Sequence, residues 1–209
     1  MTAPRKPELP RLHAVTDERV ARLPDLADRS RALTSAGTLA LHARGHSLSG
    51  RDHLTLAELL RAAAPDHLFV NDRLDVALAV AAAGVQLSTR GLSPEEARRL
   101  DPGWWIGVSV HTPEEAATAQ AGGADYLLVG PVFATPTHPE RRPLGLQALA
   151  RFTGLGLPVV AIGGISAANA RDVVAAGAYG VAMIRALWNA PEPVRAAQEI
   201  MKEIEWKSS

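Results

Sequence analysis

Hydrophobic residues fall in short runs that recur along the chain at a spacing of roughly 24 residues, near the short end for barrel repeats. Several runs are continuous rather than alternating, which is typical of parallel strands covered by helices on both faces. The runs predict eight strands at Arg11–Asp17, Thr38–Ala43, His67–Asp72, Gly84–Ser88, Trp104–Val110, Tyr126–Val132, Leu157–Gly164 and Gly180–Ile184.

Segments with helical spacing of apolar residues lie between these runs. The clearest are Leu54–Ala64, Ser93–Leu100, Thr112–Gly123 and Ser166–Gly177. Ser93 and Thr112 each precede a proline and two glutamates, so both are predicted N-caps. Glu96 and Glu115 stand at the positions that complete capping boxes.

This alternation of strand and helix predicts an α/β fold, a closed (β/α)₈ TIM barrel. An open doubly wound sheet is the alternative. No linker divides the chain, so we expect a flexible N-terminal segment at 1–10, a single barrel domain at 11–204 and a C-terminal tail at 205–209. In such a barrel the chemistry lies at the carboxyl ends of the strands.

Composition excludes several classes of function. The 209 residues include 22 Lys+Arg and 22 Asp+Glu, a formal net charge of zero, so no basic field for a nucleic acid is expected. The absence of cysteine excludes disulfides, thiolate metal sites and a cysteine nucleophile. The polar N-terminus does not resemble a signal peptide and no apolar run could span a bilayer, so we expect a cytoplasmic protein without a membrane partner.

The segment AIGGISAANA carries the strongest local signal. A predicted strand ends at Gly163 and Gly164 and opens directly onto a capped helix, where free N–H groups and the helix dipole favour a phosphate. Arg185, after the last strand, could add a positive charge. The alternative is a glycine pair needed only for a tight turn.

The loop Val132–Gly145, after the sixth predicted strand, is long for a compact barrel. It carries Thr135, Thr137 and His138, together with an arginine pair. Hydroxyl and basic groups suit an anionic ligand, so we predict that the loop contributes to the site. A solvated surface loop is the alternative.

Asn71 and Asp72 end the third predicted strand. A carboxylate there could hold Mg²⁺, but the segment after the fourth strand offers no second carboxylate before Glu95. Asp72 could instead cap the next helix or pair with Arg73 or Arg44.

Three histidines are predicted near the barrel mouth. His42 and Arg44 end the second strand, and His138 lies in the long loop. Imidazole exchanges protons near neutral pH, so one of these residues could act in proton transfer. A structural or surface histidine is the alternative in each case, and His111 is expected only to cap the helix that follows it.

The chain resembles the thiamine phosphate synthase and thiazole tautomerase superfamily from about Leu12 to Leu187. The residues that carry the resemblance are HAVTD, NDR, GVQL, IGVSVHTPEEA, ADYLLVGPVFATPTHP, PLGL and PVVAIGGI, in this order. The resemblance implies a (β/α)₈ barrel of thiamine biosynthesis. Synthases of this superfamily join a pyrimidine diphosphate to a thiazole phosphate using Mg²⁺, and its tautomerases aromatise a thiazole phosphate without a metal.

The resemblance implies roles for individual residues of the thiazole half of the site. Gly163 and Gly164 match the phosphate-binding pair, and Thr135 and Thr137 match the thiazole loop. Outside the thiazole half, Ser109 matches a serine on the pyrimidine side.

The other half of the family's ligand set is only partly present. Gln86 replaces a histidine, and Arg44 stands in place of a lysine in the segment that holds diphosphate. Asp72 matches the first metal-binding aspartate, whereas Gly91 stands at the second.

Because the losses fall on the diphosphate and metal half, we expect a metal-free isomerase that acts on a small phosphorylated thiazole and needs no cofactor. His138 and then His42 are the candidate proton-transfer groups. One alternative is a synthase with a rebuilt diphosphate site, which would use Mg²⁺ at Asp72. The other is a non-catalytic regulator that binds a thiamine-related phosphate. Dimers are common among such barrels, so a homodimer is the expected oligomer.

Overall fold

The computed structural model describes residues 6–136 and 141–205. Its eight parallel strands pair in chain order and the last pairs with the first, which confirms the predicted closed barrel. The strands are β1 (Leu12–Val15), β2 (Ala40–Ala43), β3 (Leu68–Asn71), β4 (Gly84–Leu87), β5 (Trp105–Val110), β6 (Tyr126–Val129), β7 (Val159–Ile162) and β8 (Gly180–Met183).

Helices surround the barrel, and each of the four predicted segments overlaps one of them. They are α1 (Leu26–Ser35), α2 (Gly50–Ala63), α3 (Leu74–Ala79), α4 (Pro94–Leu100), α5 (Pro113–Ala121), α6 (Leu146–Thr153), α7 (Ala167–Ala175), α8 (Arg185–Trp188) and α9 (Pro193–Ile204), with a 3₁₀ turn at Val20–Arg22. Within the described ranges, no helix has the length and apolar character needed to cross a membrane.

Capping explains where helices begin. Helix α2 begins earlier than predicted because the Ser49 side chain accepts a hydrogen bond from the Asp52 N–H. The predicted capping box of Ser93 and Glu96 is present.

The capping box predicted at Thr112 is only half formed. Thr112 accepts from the Glu115 N–H at 3.2 Å, but the Glu115 carboxylate accepts from the His111 N–H at 2.7 Å instead of from Thr112. The His111 amide lies just beyond the end of β5, where it needs an acceptor outside the strand. Glu115 therefore anchors His111 to the start of α5.

The barrel interior is a core separate from the layer between strands and helices. It contains Leu9, Val15, Ala40, Phe69, Tyr126, Leu128, Val160 and Ala182. Gly107 of β5 faces this interior, and a Cβ atom there would lie 2.2 Å from Tyr126 Cζ and 2.4 Å from Gln86 Oε1. Only glycine fits at this point of the strand.

Replacing Gly107 with alanine should therefore lower the free energy of unfolding by about 2–3 kcal/mol, since an added methyl group overpacks the interior. Urea denaturation measures the change. Gly154→Ala is the control, because a Cβ atom at Gly154 meets nothing within 4 Å. Equal urea midpoints for the two variants would contradict the prediction, because they would show that the barrel interior can accept a methyl group at position 107.

Candidate active site

A cavity of about 390 Å³ opens at the carboxyl ends of the strands. The barrel brings to its wall most of the residues predicted from sequence: Arg44, Asn71, Asp72, Ser109, Thr135, Gly163, Gly164 and Arg185. These residues lie near the ends of six different strands or just after them, and they are spread widely along the sequence. Closure of the barrel gathers them at one mouth, as the fold leads us to expect.

Two predicted site residues lie beneath the cavity rather than in its wall. His42 and Gln86 are fully buried, because both side chains point into the barrel interior. Gln86 donates to Ser109 Oγ at 3.0 Å and so supports a residue of the wall. His42 has no exposed surface, so the structure does not bring it to the ligand cavity as its position at the strand end suggested.

Thr137 and His138 lie outside the described residues. Their predicted roles, in thiazole binding and in proton transfer, stay predictions.

The glycine pair between β7 and α7 has a packing reason as well as room for a ligand. Gly163 and Gly164 have φ angles of +100° and +67°. A Cβ atom on Gly163 would lie 2.6 Å from Pro131 Cβ, and one on Gly164 would lie 2.6 Å from the Ala134 carbonyl oxygen. The two alternatives drawn from sequence are therefore compatible, since the tight turn also forms cavity wall beside Arg185.

Arg44 supplies the positive charge on the β2 side of the cavity. Its guanidinium donates to His46 Nε2 at 2.5 Å, and both residues line the cavity. Burial lowers the pKa of Arg44, while the nearby carboxylates of Glu18, Asp17 and Asp72 raise it. A guanidinium stays protonated under these conditions, so Arg44 carries a partly desolvated positive charge.

The described wall is cationic although the whole chain is neutral. It contains three arginines, Arg44, Arg141 and Arg185, and one carboxylate, Asp72. Concentrating one sign of charge in a cleft with apolar walls attracts ligands of the opposite sign. The cavity is therefore suited to an anion.

His111 also lines the cavity, in keeping with its predicted place near the barrel mouth, although sequence analysis expected it only to cap the next helix and did not count it among the site residues. Its Nδ1 lies 2.6 Å from the Gly130 carbonyl oxygen, and its Nε2 lies 2.6 Å from an Arg141 nitrogen. A carbonyl only accepts and a guanidinium only donates, so Nδ1 carries the proton and Nε2 the lone pair. Its position directly after β5 is the sequence feature that could have identified it as a site residue.

The residues around Asp72 do not by themselves form a magnesium site. Asp72 Oδ1 accepts from the Ser88 N–H at 2.7 Å. A Cβ atom on Gly91 would lie 3.4 Å from the same oxygen, so a carboxylate at position 91 would face Asp72, but glycine supplies none. No group of three or more His, Asp or Glu side chains suited to a metal occurs in the part of the chain that the structure describes. A single carboxylate is a weak donor set for Mg²⁺.

Comparisons with known proteins agree with the resemblance seen in the sequence. The sequence profile of the thiamine monophosphate synthase family matches residues 12–187. The thiamine-phosphate synthase of Methanoculleus marisnigri is 42% identical, over 92% of this chain and 94% of that protein. The Pyrococcus furiosus thiamine-phosphate synthase is 38% identical, over 93% and 95%.

A solved structure extends the match to three dimensions. The thiamine phosphate pyrophosphorylase from Pyrococcus furiosus superposes with a TM-score of 0.82 at 36% identity, over 93% of this chain and 95% of that one. The two sequence relatives are named as synthases and the solved structure as a pyrophosphorylase, so they support the alternative drawn from sequence better than the expected isomerase. The chain belongs to the thiamine monophosphate synthase family, a family of (β/α)₈ barrel proteins of thiamine biosynthesis.

Proposed function

We propose that this protein joins a phosphorylated thiazole to an aminopyrimidine diphosphate and releases diphosphate, the reaction for which its relatives are named. The observation that carries the proposal is a cavity with anion-binding groups at two places: the guanidinium of Arg44, and the glycine pair beside Arg185. Arg44 follows β2, whereas the glycine pair follows β7, three strands away around the closed barrel. Two separate anion sites suit two phosphorylated substrates better than one.

The phosphate of the thiazole is assigned to the wall formed by Gly163, Gly164 and Arg185. Glycine lets a phosphate approach the backbone closely, and Arg185 supplies charge. The resemblance adds Thr135 as a thiazole contact. This end of the cavity retains the residues that the family uses.

The diphosphate is assigned to the Arg44 side, where the family's pair of metal-binding carboxylates is reduced to Asp72. Charge builds on the diphosphate as it leaves, and a fixed cation nearby stabilises that charge. A guanidinium can hold two phosphate oxygens at once. Arg44 is therefore the group on which this half of the reaction depends.

A second candidate is isomerisation of a thiazole phosphate alone, which the geometry of His111 favours. A neutral imidazole can accept a proton at Nε2 and return it once a ligand has displaced the Arg141 guanidinium that donates to that atom. This reaction needs no diphosphate site. It is kept as the competing function because Gly91 removes the second carboxylate.

Calorimetric titration separates the two functions. The proposal expects thiazole phosphate and inorganic diphosphate to bind together, with neither raising the dissociation constant of the other more than about threefold. If the protein is an isomerase, thiazole phosphate should bind alone, or diphosphate should compete with it for the thiazole phosphate site. Either of these results would count against the transferase.

Gly91→Asp should create a magnesium site beside Asp72. Two facing carboxylates bind Mg²⁺ with substrate phosphates, so the affinity for Mg²⁺ in the presence of diphosphate should rise at least about tenfold. Titration calorimetry measures it. Gly91→Asn, which has a similar shape without the charge, is the control, and an equal gain in both variants would contradict the explanation.

A further inference from the structure

A chain of hydrogen-bonding groups runs through the barrel interior to the cavity. His13 Nε2 lies 2.8 Å from the Pro10 carbonyl oxygen, and His13 Nδ1 lies 2.8 Å from His42 Nε2. His42 Nδ1 lies 3.3 Å from the atom placed as Asn71 Oδ1. Both histidines are fully buried, and Asn71 lines the cavity.

Counting protons decides how these groups are oriented. The Pro10 oxygen can only accept, so His13 Nε2 must donate to it. A neutral His13 then has only a lone pair at Nδ1, so His42 must donate from Nε2. A neutral His42 has in turn only a lone pair at Nδ1, and it needs a donor from Asn71.

The oxygen and nitrogen of a carboxamide exchange places by a half-turn about χ2, so the proton count selects which of them faces His42. With Oδ1 of Asn71 toward His42, the three hydrogen bonds would need three ring protons, one more than two neutral imidazoles carry. With Nδ2 toward His42, the amide itself supplies the third proton.

We propose that His13 and His42 are positioning residues that hold Nδ2 of Asn71 inward and leave its carbonyl oxygen to the cavity. Asn71 then accepts a hydrogen bond from a ligand and selects one that carries an N–H or O–H donor. This assignment rests on the proposed function: the ligand is the aminopyrimidine, whose amine donates the hydrogen bond to the Asn71 oxygen. A thiazole phosphate has no ring donor for this position.

The surroundings keep both rings neutral. His42 stacks on Phe69 with ring centroids 5.0 Å apart and an interplanar angle of 11°, and His13 lies 5.8 Å from the rings of Phe69 and Tyr126. Burial lowers the pKa of His13 to about 4 and that of His42 well below its usual range. Arg44, on the cavity side, further lowers the pKa of His42.

The direct test is nitrogen NMR of the histidine rings in the unmodified protein at pH 7. The proposal expects both His13 and His42 to be neutral with the proton on Nε2 and none on Nδ1. A doubly protonated ring, or a proton on His42 Nδ1, would overturn it. Resonances are assigned with His13→Phe and His42→Phe.

A second measurement tests the selectivity. Wild type should bind an aminopyrimidine at least about tenfold more tightly than the analogue with hydrogen in place of the amine. His13→Phe removes the acceptor of His42 and should reduce this preference below about threefold, whereas Phe69→Leu, which alters the same layer without a hydrogen bond, should keep it. If NMR shows the expected tautomers but wild type does not prefer the aminopyrimidine, the selective role of Asn71 is overturned. The proposed function is tested separately, by the joint binding of thiazole phosphate and diphosphate.

Discussion

Replacing Arg44 with alanine should lower kcat/KM for thiamine phosphate formation by about 10²–10³-fold, as expected when one fixed group that stabilises developing charge is removed. Arg44 is the cation on the β2 side of the cavity, and Asp72 lacks the second carboxylate that would hold a metal in its place. Without the guanidinium, the leaving diphosphate would face the acidic neighbours Asp17, Glu18 and Asp72. Steady-state diphosphate release measures the effect.

Two further variants show whether the loss belongs to the guanidinium. Arg44→Lys keeps the charge but not the two-pronged geometry, so it should lose about tenfold. Arg90→Ala removes an exposed charge from the β4–α4 loop, two strands away around the barrel, and should change the rate less than twofold. If Arg44→Ala and Arg90→Ala behave alike, the diphosphate is held elsewhere.

Gly164→Ala should weaken thiazole phosphate binding by at least about 100-fold and also lower the free energy of unfolding by about 1–3 kcal/mol. The positive φ strains any side chain at this position. The added Cβ atom would also press on the Ala134 carbonyl oxygen at 2.6 Å and displace the turn that forms the phosphate wall.

Gly156→Ala is the matched control for this prediction. Gly156 has a φ of +74°, close to the +67° of Gly164, but a Cβ atom there meets nothing within 4 Å. It should therefore show the cost in stability that comes from φ alone, with the affinity for thiazole phosphate unchanged. Unaltered affinity in Gly164→Ala as well would place the phosphate away from the glycine pair.

The barrel could be predicted from sequence because its signals are local and repeated. Continuous apolar runs, Ser93 with its capping box, and Gly163-Gly164 at a strand end each follow from neighbouring residues. The start of α2 was missed because Ser49 gives no apolar signal. The domain boundaries drawn from sequence stay predictions.

The depth of side chains could not be predicted in the same way. His42 and Arg44 are two residues apart, yet one lies inside the barrel and the other in the cavity wall. Residues two apart in a strand share a face, so the two differ in depth: how far each lies below the barrel mouth depends on how the closed sheet tilts and staggers, which the short strand sequence does not contain. The contact of His111 with Arg141 could not be predicted either, because the two residues are distant in sequence and their loops meet only when the barrel closes.

The expected isomerase rested on the family's diphosphate and metal ligands that this chain lacks, rather than on the thiazole-side residues that it keeps. Gly91 and the altered diphosphate segment argued against a synthase. The structure places Arg44 in the wall of the cavity, and the relatives that match almost the whole chain are named as synthases. The anion site proposed at Arg44 accounts for both observations.

The central claim is tested most directly by supplying the purified protein with hydroxyethylthiazole phosphate and the aminopyrimidine diphosphate, with Mg²⁺ present, and following thiamine phosphate and diphosphate together. The account predicts that both products appear in equal amounts, with a turnover on the order of 1 s⁻¹ that collapses in Arg44→Ala. Absence of both products, in a preparation that binds thiazole phosphate and isomerises a thiazole phosphate substrate, would contradict it.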